Sequence, residues 1–356
     1  MNTVARRIKL MTRAIPPGHD ARRWSRQLPG AENRWRDSEF FFNPLAEEYD
    51  WLVVYHDLPK THGWLGLEKL RCDPRKTLLI TSEPSSITVY GRDYLRQFGI
   101  ILTFQEPWAM PHPQVVFSQP GLIWYYGYPL GDGHIRDYDE LSSMEAPEKT
   151  RQVSTICSIR QGRVTLHHQR FDFTEHLRQA IPELEVFGHG RRPINDKAEV
   201  IDPYRYHLTI ENHYYPHHLT EKLPDIFLGY AVPFFYGCPN AEDYFPKESF
   251  IRININDLKK TTDIIRSTIA NNEYHDRLPY VREARRRALE EYNLFAVIDR
   301  LASDYENRDI PQPKNGRIIM NRPTLRLKHP MSGLRNFAEQ MAIKSLHISK
   351  RLAGGV

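Results

Sequence analysis

The stretch Tyr204 to Ile251 reads YRYHLTIENHYYPHHLTEKLPDIFLGYAVPFFYGCPNAEDYFPKESFI. Its opening run YHLTIEN (206–212), rich in β-branched and aromatic residues, predicts a buried strand. A loop crowded with His and Tyr follows, and Thr220 stands where a helix over TEKLPDIFLGY would take its cap. VPFFYG (232–237) and FIRINI (250–255) predict two more strands. Strand, helix and strand in alternation is the pattern of a parallel α/β sheet.

The same alternation extends outward. Upstream lie the strand VSTICSI (153–159), a helix near FTEHLRQAI (173–181) and the strand LEVFGHG (184–190). Downstream are a helix over DLKKTTDIIRSTIA (257–270) and a charged helix from about Tyr280 to Tyr305. An earlier series has short apolar runs at WLVVY (51–55), TLLIT (77–81), GIILTF (99–104) and VVF (115–117), with DYLRQF (93–98) as a crossover helix. The charged, Pro-containing stretch DELSSMEAPEKTRQ (139–152) separates the two series and sets a boundary near residue 150. The expected organisation is therefore a Pro- and Arg-rich basic arm (1–40), an α/β domain (41–150), a second α/β domain (151–310) and a basic amphipathic tail (311–356).

Charge excludes one function class. The chain carries a net +5, yet residues 1–37 hold +6 and residues 323–356 hold +5, so the body between them is at −6. A nucleic-acid-binding body is basic along one face, and this one is mildly acidic, so no nucleic-acid partner is expected. Cys72, Cys157 and Cys238 are scattered, form no C-x-x-C pair and fit free thiols in a reducing compartment. The first twenty residues lack the apolar core of a secretion signal. IFLGYAVPFFYGC (226–238) is too short to span a bilayer.

The chemistry points to the start of the helix after the His/Tyr loop. Lys222 supplies a cation for phosphate and Glu221 an acceptor for vicinal ribose hydroxyls, a pairing suited to a nucleotide diphosphate with its sugar. The strand before it ends in Glu211-Asn212. Asp137-Tyr138-Asp139 has the D-x-D form of a metal-diphosphate site, but its charged surroundings read as solvated loop, and REARRRALEEY (282–292) reads as a solvated helix face.

Taken together, these pieces closely resemble the donor-binding region of the glycosyltransferase family that contains the α-1,3/4-fucosyltransferases, glycosyltransferase family 10. The family pattern Y-K-F-x-L-x-F-E-N, D-Y-x-T-E-K, V-P-x-x-x-G and F-x-P-x-x-F-I is met by YRYHLTIEN (204–212), HHLTEK (217–222), VPFFYG (232–237) and YFPKESFI (244–251). Upstream, RFDFTEHL…EVFGHG (170–190) resembles the family's Arg-led helix and following strand. The resemblance implies an α/β fold of the glycosyltransferase B type, two Rossmann-like domains facing a central cleft, in a bacterial-type member. It implies GDP-fucose as donor, inverting transfer of α-1,3 type, and no metal requirement.

Residue by residue, the resemblance places Arg170 and Lys222 on the donor diphosphate, Glu221 on the ribose, and Glu211 with Asn212 along the donor pocket. His217-His218 replaces the family's Asp-Tyr, so His218 lies where a tyrosine meets nucleotide and sugar, which leaves a different donor sugar open. Glu83, in T-S-E-P at the end of a strand, resembles the strand-end context of the family's proposed general base, and Asp57 and Glu106, in similar strand-end positions, are the alternative candidates for that role.

In the tail, Leu334, Phe337, Ala338, Met341 and Ile348 fall on one helical side bordered by Lys and Arg. Such a helix either packs on protein or lies at an anionic membrane. The expected partners are thus a nucleotide sugar, an oligosaccharide or lipid-linked glycan acceptor, and a peripheral membrane contact through the tail. The expected setting is cytoplasmic, at the inner membrane, in lipopolysaccharide, O-antigen or other surface-glycan synthesis. A non-catalytic glycan- or nucleotide-binding relative is the alternative.

Overall fold

The computed structural model describes residues 5–61, 63–159, 166–314 and 316–352. The chain forms two compact units, Met1–Gly121 with Phe295–Val356, and Leu122–Leu294.

The first unit contains the strands β1 (Arg6–Thr12), β2 (Arg34–Trp35), β3 (Ser38–Phe41), β4 (Trp51–Tyr55), β5 (Leu67–Lys69), β6 (Thr77–Ile80), β7 (Ile100–Thr103) and β8 (Val115–Phe117). Seven of them form one sheet in the order β2-β3-β1-β4-β6-β7-β8, parallel except for β2 against β3. The runs at 51–55, 77–81, 99–104 and 115–117 thus become strands as expected. Leu52, Val54, Leu79 and Ile101 turn one face of this sheet into a core with Tyr94, Leu95 and Phe98.

The expected arm is not one. Its residues 6–12 form β1, which lies inside the sheet between β3 and β4. The strand was hidden because its pattern is broken by Lys9, which is only 2% exposed. That ammonium donates to Glu68 Oε1 at 2.8 Å and to the Ala46 carbonyl at 2.9 Å, and Tyr49 OH donates to the same Glu68 oxygen at 2.6 Å. A buried charge held this way satisfies its hydrogen bonds while interrupting an apolar run.

The helices of the first unit's amino-terminal part are short, α1 (Arg22–Ser25) and α2 (Arg92–Leu95). The second unit begins earlier than the charged stretch suggested. It opens at Leu122, and DELSSM is no linker: α3 (Tyr138–Ser143) forms there, with Asp137 accepting from the Glu140 N–H at 3.0 Å as its cap.

Five parallel strands build the second sheet: β9 (Arg151–Ile156), β10 (Leu184–Phe187), β11 (Tyr204–Ile210), β12 (Val232–Tyr236) and β13 (Ile251–Arg252), in the order β10-β9-β11-β12-β13. The helices around it are α4 (His167–Ala180), α5 (Lys222–Leu228), α6 (Leu258–Ala270) and α7 (Tyr274–Glu290). The single charged helix expected to Tyr305 is two: α7 ends at Glu290 and α8 (Leu294–Tyr305) starts after the wholly buried Asn293. The mixed-sign segment 282–292 is solvated on one side only, since Ala284, Arg285, Ala288 and Leu289 are buried.

From Phe295, the second residue of α8, the chain belongs to the first unit again. β14 (Ile318–Met320) pairs antiparallel with β5, and α9 (Arg322–Lys328) and α10 (Pro330–Leu352) follow. The inward side of α10 is formed by Asn336, Ile343 and His347, whereas Leu334, Phe337, Met341 and Ile348 are 52–65% exposed. Its apolar stripe therefore points away from the protein.

Candidate functional site

In parallel α/β sheets, ligands gather at the carboxyl edge. At that edge of the second sheet is a cavity of about 190 Å3. Ile156, Leu208, Ile210 and Ile226 give it apolar walls, and Arg170, Lys197, Glu221, Lys222 and Asp225 bring charge to it. His207 and Thr209 of β11 complete the same lining.

Arg170 comes from the first turn of α4 and is only 8% exposed. Its Nη1 donates to Asn212 Oδ1 at 2.9 Å, which ties the helix to the residues just past β11. Its buried Nε has no hydrogen-bond partner among the described residues. A buried guanidinium with an open donor is suited to an anion.

Glu211, wholly buried, works differently from its neighbour. It accepts from the Thr220 N–H at 3.0 Å and the Thr220 hydroxyl at 2.8 Å, and takes Lys222 Nζ at 3.0 Å. Thr220 is thus committed to Glu211, and the cap position of α5 belongs to Glu221 instead. The carboxylate closes the His/Tyr loop onto the strand and fixes the ammonium over the cavity. Lys222 also lies 3.6 Å from Glu221 Oε1. Burial alone would lower the Lys222 pKa, but Glu211 and Glu221 outweigh it, and the value is raised. Burial pushes Glu221 up, while Lys222 and Lys197 hold it down at about 2, so it is an acceptor at neutral pH.

Sequence reading missed three lining groups. Asp225 lies one helical turn after Glu221, on the same side of α5, a spacing that was visible. It accepts from the Tyr125 and Tyr126 N–H groups at 2.9 and 3.2 Å and from Lys197 Nζ at 2.6 Å; burial raises its pKa. Lys197, in a short 3-10 turn far away in sequence, also lies 3.8 Å from Glu221, and no local signal marked it. His207 is 3% exposed, bonded to Ser154 Oγ at 2.8 Å, and burial with the nearby Lys197 lowers its pKa to about 3.

The structure brings Arg170, Glu221 and Lys222 together around the cavity, with Glu211 and Asn212 bonded to them. His218 is not among the lining residues. It is 4% exposed and stands edge-on to His213 at 5.3 Å, whereas His217 turns to Tyr244 OH at 2.5 Å. The adjacent imidazoles thus face different neighbours. Among the described residues, no three His, Cys, Asp or Glu side chains group as metal ligands do.

Glu83 belongs to the first unit, three residues past β6 at the carboxyl edge of that sheet, and is half-buried. Its backbone carbonyl accepts from Gln105 Nε2 at 2.5 Å. The two other strand-end acids are deeper. Asp57 is 1% exposed and taken by Arg322 Nε at 3.0 Å and Tyr94 OH at 2.9 Å. Glu106 is 4% exposed and accepts from Ser85 Oγ at 2.5 Å.

Residues 146–278 match the model of the glycosyltransferase family 10 (fucosyltransferase) C-terminal domain. No curated protein matches the sequence. Among solved structures, an α1,3-fucosyltransferase with GDP-fucose aligns with a TM-score of 0.50 at 15% identity, over 87% of this chain and 93% of that one. Another α1,3-fucosyltransferase structure aligns at 0.48 and 15% identity over 78% and 83%. An α-glucosyltransferase in complex with UDP and a 13-mer DNA aligns at 0.47 and 12% identity over 86% and 100%. The fold is α/β, of the glycosyltransferase B type, with a parallel sheet in each unit. Residues 146–278 thus carry a glycosyltransferase family 10 (fucosyltransferase) C-terminal domain.

Proposed function

We propose that the protein is an inverting, α-1,3-type fucosyltransferase that moves fucose, or a related sugar, from a GDP-sugar to a hydroxyl of a glycan. The acceptor hydroxyl oxygen bonds to the anomeric carbon as the carbon–oxygen bond to the diphosphate breaks, and Glu83 takes the hydroxyl proton. Arg170 and Lys222 meet the negative charge that grows on the departing GDP, in place of a divalent cation. Glu221 accepts from the ribose hydroxyls.

One observation carries this reading. The buried Arg170 Nε, without a partner among the described residues, lines the same cavity as Lys222 and Glu221. Arg170 and Lys222 beside the ionised Glu221 fit a sugar-bearing nucleotide better than a bare anion.

The outward stripe of α10, bordered by the exposed Lys344 and Lys350, suits an anionic lipid surface. No helix among the described residues is long and apolar enough to cross a membrane. A lipid-linked glycan of lipopolysaccharide or O-antigen type, met at the cytoplasmic face of the inner membrane, is the acceptor class this arrangement fits.

Calorimetric titration with GDP, UDP and CMP, and then GDP-fucose, all in chelator, tests the donor. GDP-selective binding that weakens in Arg170→Ala and Lys222→Ala is expected. Selective UDP binding would assign another donor, for which His218 in place of tyrosine is the motive. Binding of no nucleotide would leave a non-catalytic relative as the better account.

A further inference from the structure

Glu83 sits in the four-residue segment Ser82-Glu83-Pro84-Ser85, and an imidazole holds the serine at each end. At the front, His56 Nδ1 lies 2.9 Å from Ser82 Oγ and 3.0 Å from Tyr90 OH. Its other nitrogen, Nε2, faces Arg322 Nη2 at 3.1 Å. A guanidinium only donates, so Nε2 is the acceptor and the ring proton sits on Nδ1, aimed at Ser82 and Tyr90. Arg322 is itself fixed by the buried Asp57 at 3.0 Å and lies 4.9 Å over the Tyr90 ring. His56 adopts φ +68°, a left-handed conformation uncommon outside glycine, directly after β4.

At the back, Ser85 Oγ contacts two groups. Glu106 Oε2, at 2.5 Å, can only accept when ionised and so takes the serine proton. The second contact, His347 Nε2 at 2.7 Å, must then donate to the oxygen. His347 belongs to the inward side of α10 and stands edge-on to Trp108 at 5.2 Å. Nearby, Arg92 N–H donates to Glu339 at 3.0 Å and Arg335 pairs with Asp93 at 2.7 Å, so α10 also secures the start of α2.

We propose that the carboxyl-terminal segment is part of the catalytic apparatus: Arg322 acting through His56 on Ser82, and His347 acting on Ser85, clamp the Glu83 segment from both ends. These are positioning residues, and the inference rests on Glu83 being the base. Pro84, with its fixed φ, leaves the segment few other degrees of freedom. The clamp therefore sets where the carboxylate points, and a misplacement of about 1 Å is enough to cost on the order of 100-fold in rate.

The test compares His347→Leu with His347→Gln in the full chain. Leucine fills the space but cannot donate to Ser85, whereas the glutamine amide can. His347→Leu is expected to lower kcat by about 10- to 100-fold with KM for the acceptor and nucleotide affinity unchanged, and to speed amide exchange in residues 82–90. His347→Gln is expected to restore kcat to within about 3-fold of the unaltered protein. Unchanged kcat in His347→Leu, or equal losses in both variants, overturns the clamp. A Glu83→Gln protein that keeps full activity while His347→Leu loses it overturns the base assignment instead, and the two failures are thereby told apart.

Discussion

Lys222 and Glu211 form an ion pair of 3.0 Å in which the carboxylate is wholly buried and the ammonium is 21% exposed at the mouth of the cavity. The acid positions the cation from behind, through the same oxygens that hold Thr220. Removing the acid leaves a cation deprived of its nearest anionic partner and two Thr220 donors unmet. Glu211→Ala is expected to cost about 3 kcal/mol in urea unfolding, as breaking one side of a buried pair does. Glu211→Gln, which keeps an acceptor for Thr220, is expected to cost less.

Arg170 joins α4 to Asn212 through Nη1, while its buried Nε has no hydrogen-bond partner among the described residues. Arg170→Ala is expected to weaken nucleotide-diphosphate binding by about 10- to 100-fold, the range for losing one charge-assisted hydrogen bond. Arg170→Lys retains the charge but not the planar fork, so it is expected to recover only part of that loss in calorimetry.

Glu83→Gln is expected to lower kcat by about 100- to 10,000-fold, the usual contribution of a general base, with no change in nucleotide affinity. Asp57 and Glu106 make the contrast. Their substitution is expected to appear in thermal unfolding as well as turnover, because both are buried and bonded within the first unit.

Two histidines make stability depend on acidity. Burial, with the charges of Arg322 and Arg13, lowers His56 to about 4, and burial with Lys197 lowers His207 to about 3. In the unfolded chain both titrate near 6.5, so below that pH the unfolded state binds more protons. The stability they contribute is complete above about pH 6.5 and is lost as pH falls toward the folded values. For the wholly buried His207, the loss between pH 7 and 5 is on the order of 2 kcal/mol. Urea midpoints at the two pH values check it, and His207→Asn is expected to flatten the dependence.

The outward stripe of α10 predicts a surface effect without a stability effect. Phe337→Asp, at a position 63% exposed, is expected to lower sedimentation with vesicles containing anionic lipid about 10-fold. Its unfolding free energy is expected to change by no more than about 0.5 kcal/mol. Equal sedimentation of both proteins would remove the lipid surface from the account.

Much of the second sheet was legible, because strands such as VPFFYG are continuous apolar runs between turn formers and nothing polar interrupts them. The first sheet was legible from β4 onward for the same reason. β1 was not, because an internal lysine satisfied by Glu68 looks like surface in a sequence. In the site, Arg170, Glu221 and Lys222 were read from a motif, and the structure places them around one cavity. Lys197 was invisible because its partners, Glu221 and Asp225, lie more than twenty residues away. The contacts around Ser82 and Ser85 were equally hidden, since His347, which meets Ser85, and Arg322, which meets the His56 ring beside Ser82, come from the far end of the chain.

The first unit's dependence on residues 295–356 also orders events during synthesis. Leu122–Leu294 is continuous, so all of the second unit's sequence is synthesised before Phe295 and the residues that follow it. The first unit must wait: β5 lacks β14, Asp57 lacks Arg322 and Ser85 lacks His347 until residues 295–356 emerge. A nascent chain would thus hold a finished second unit while the first sheet is still open, and the segment bearing Glu83 would set only once Arg322 and His347 are present.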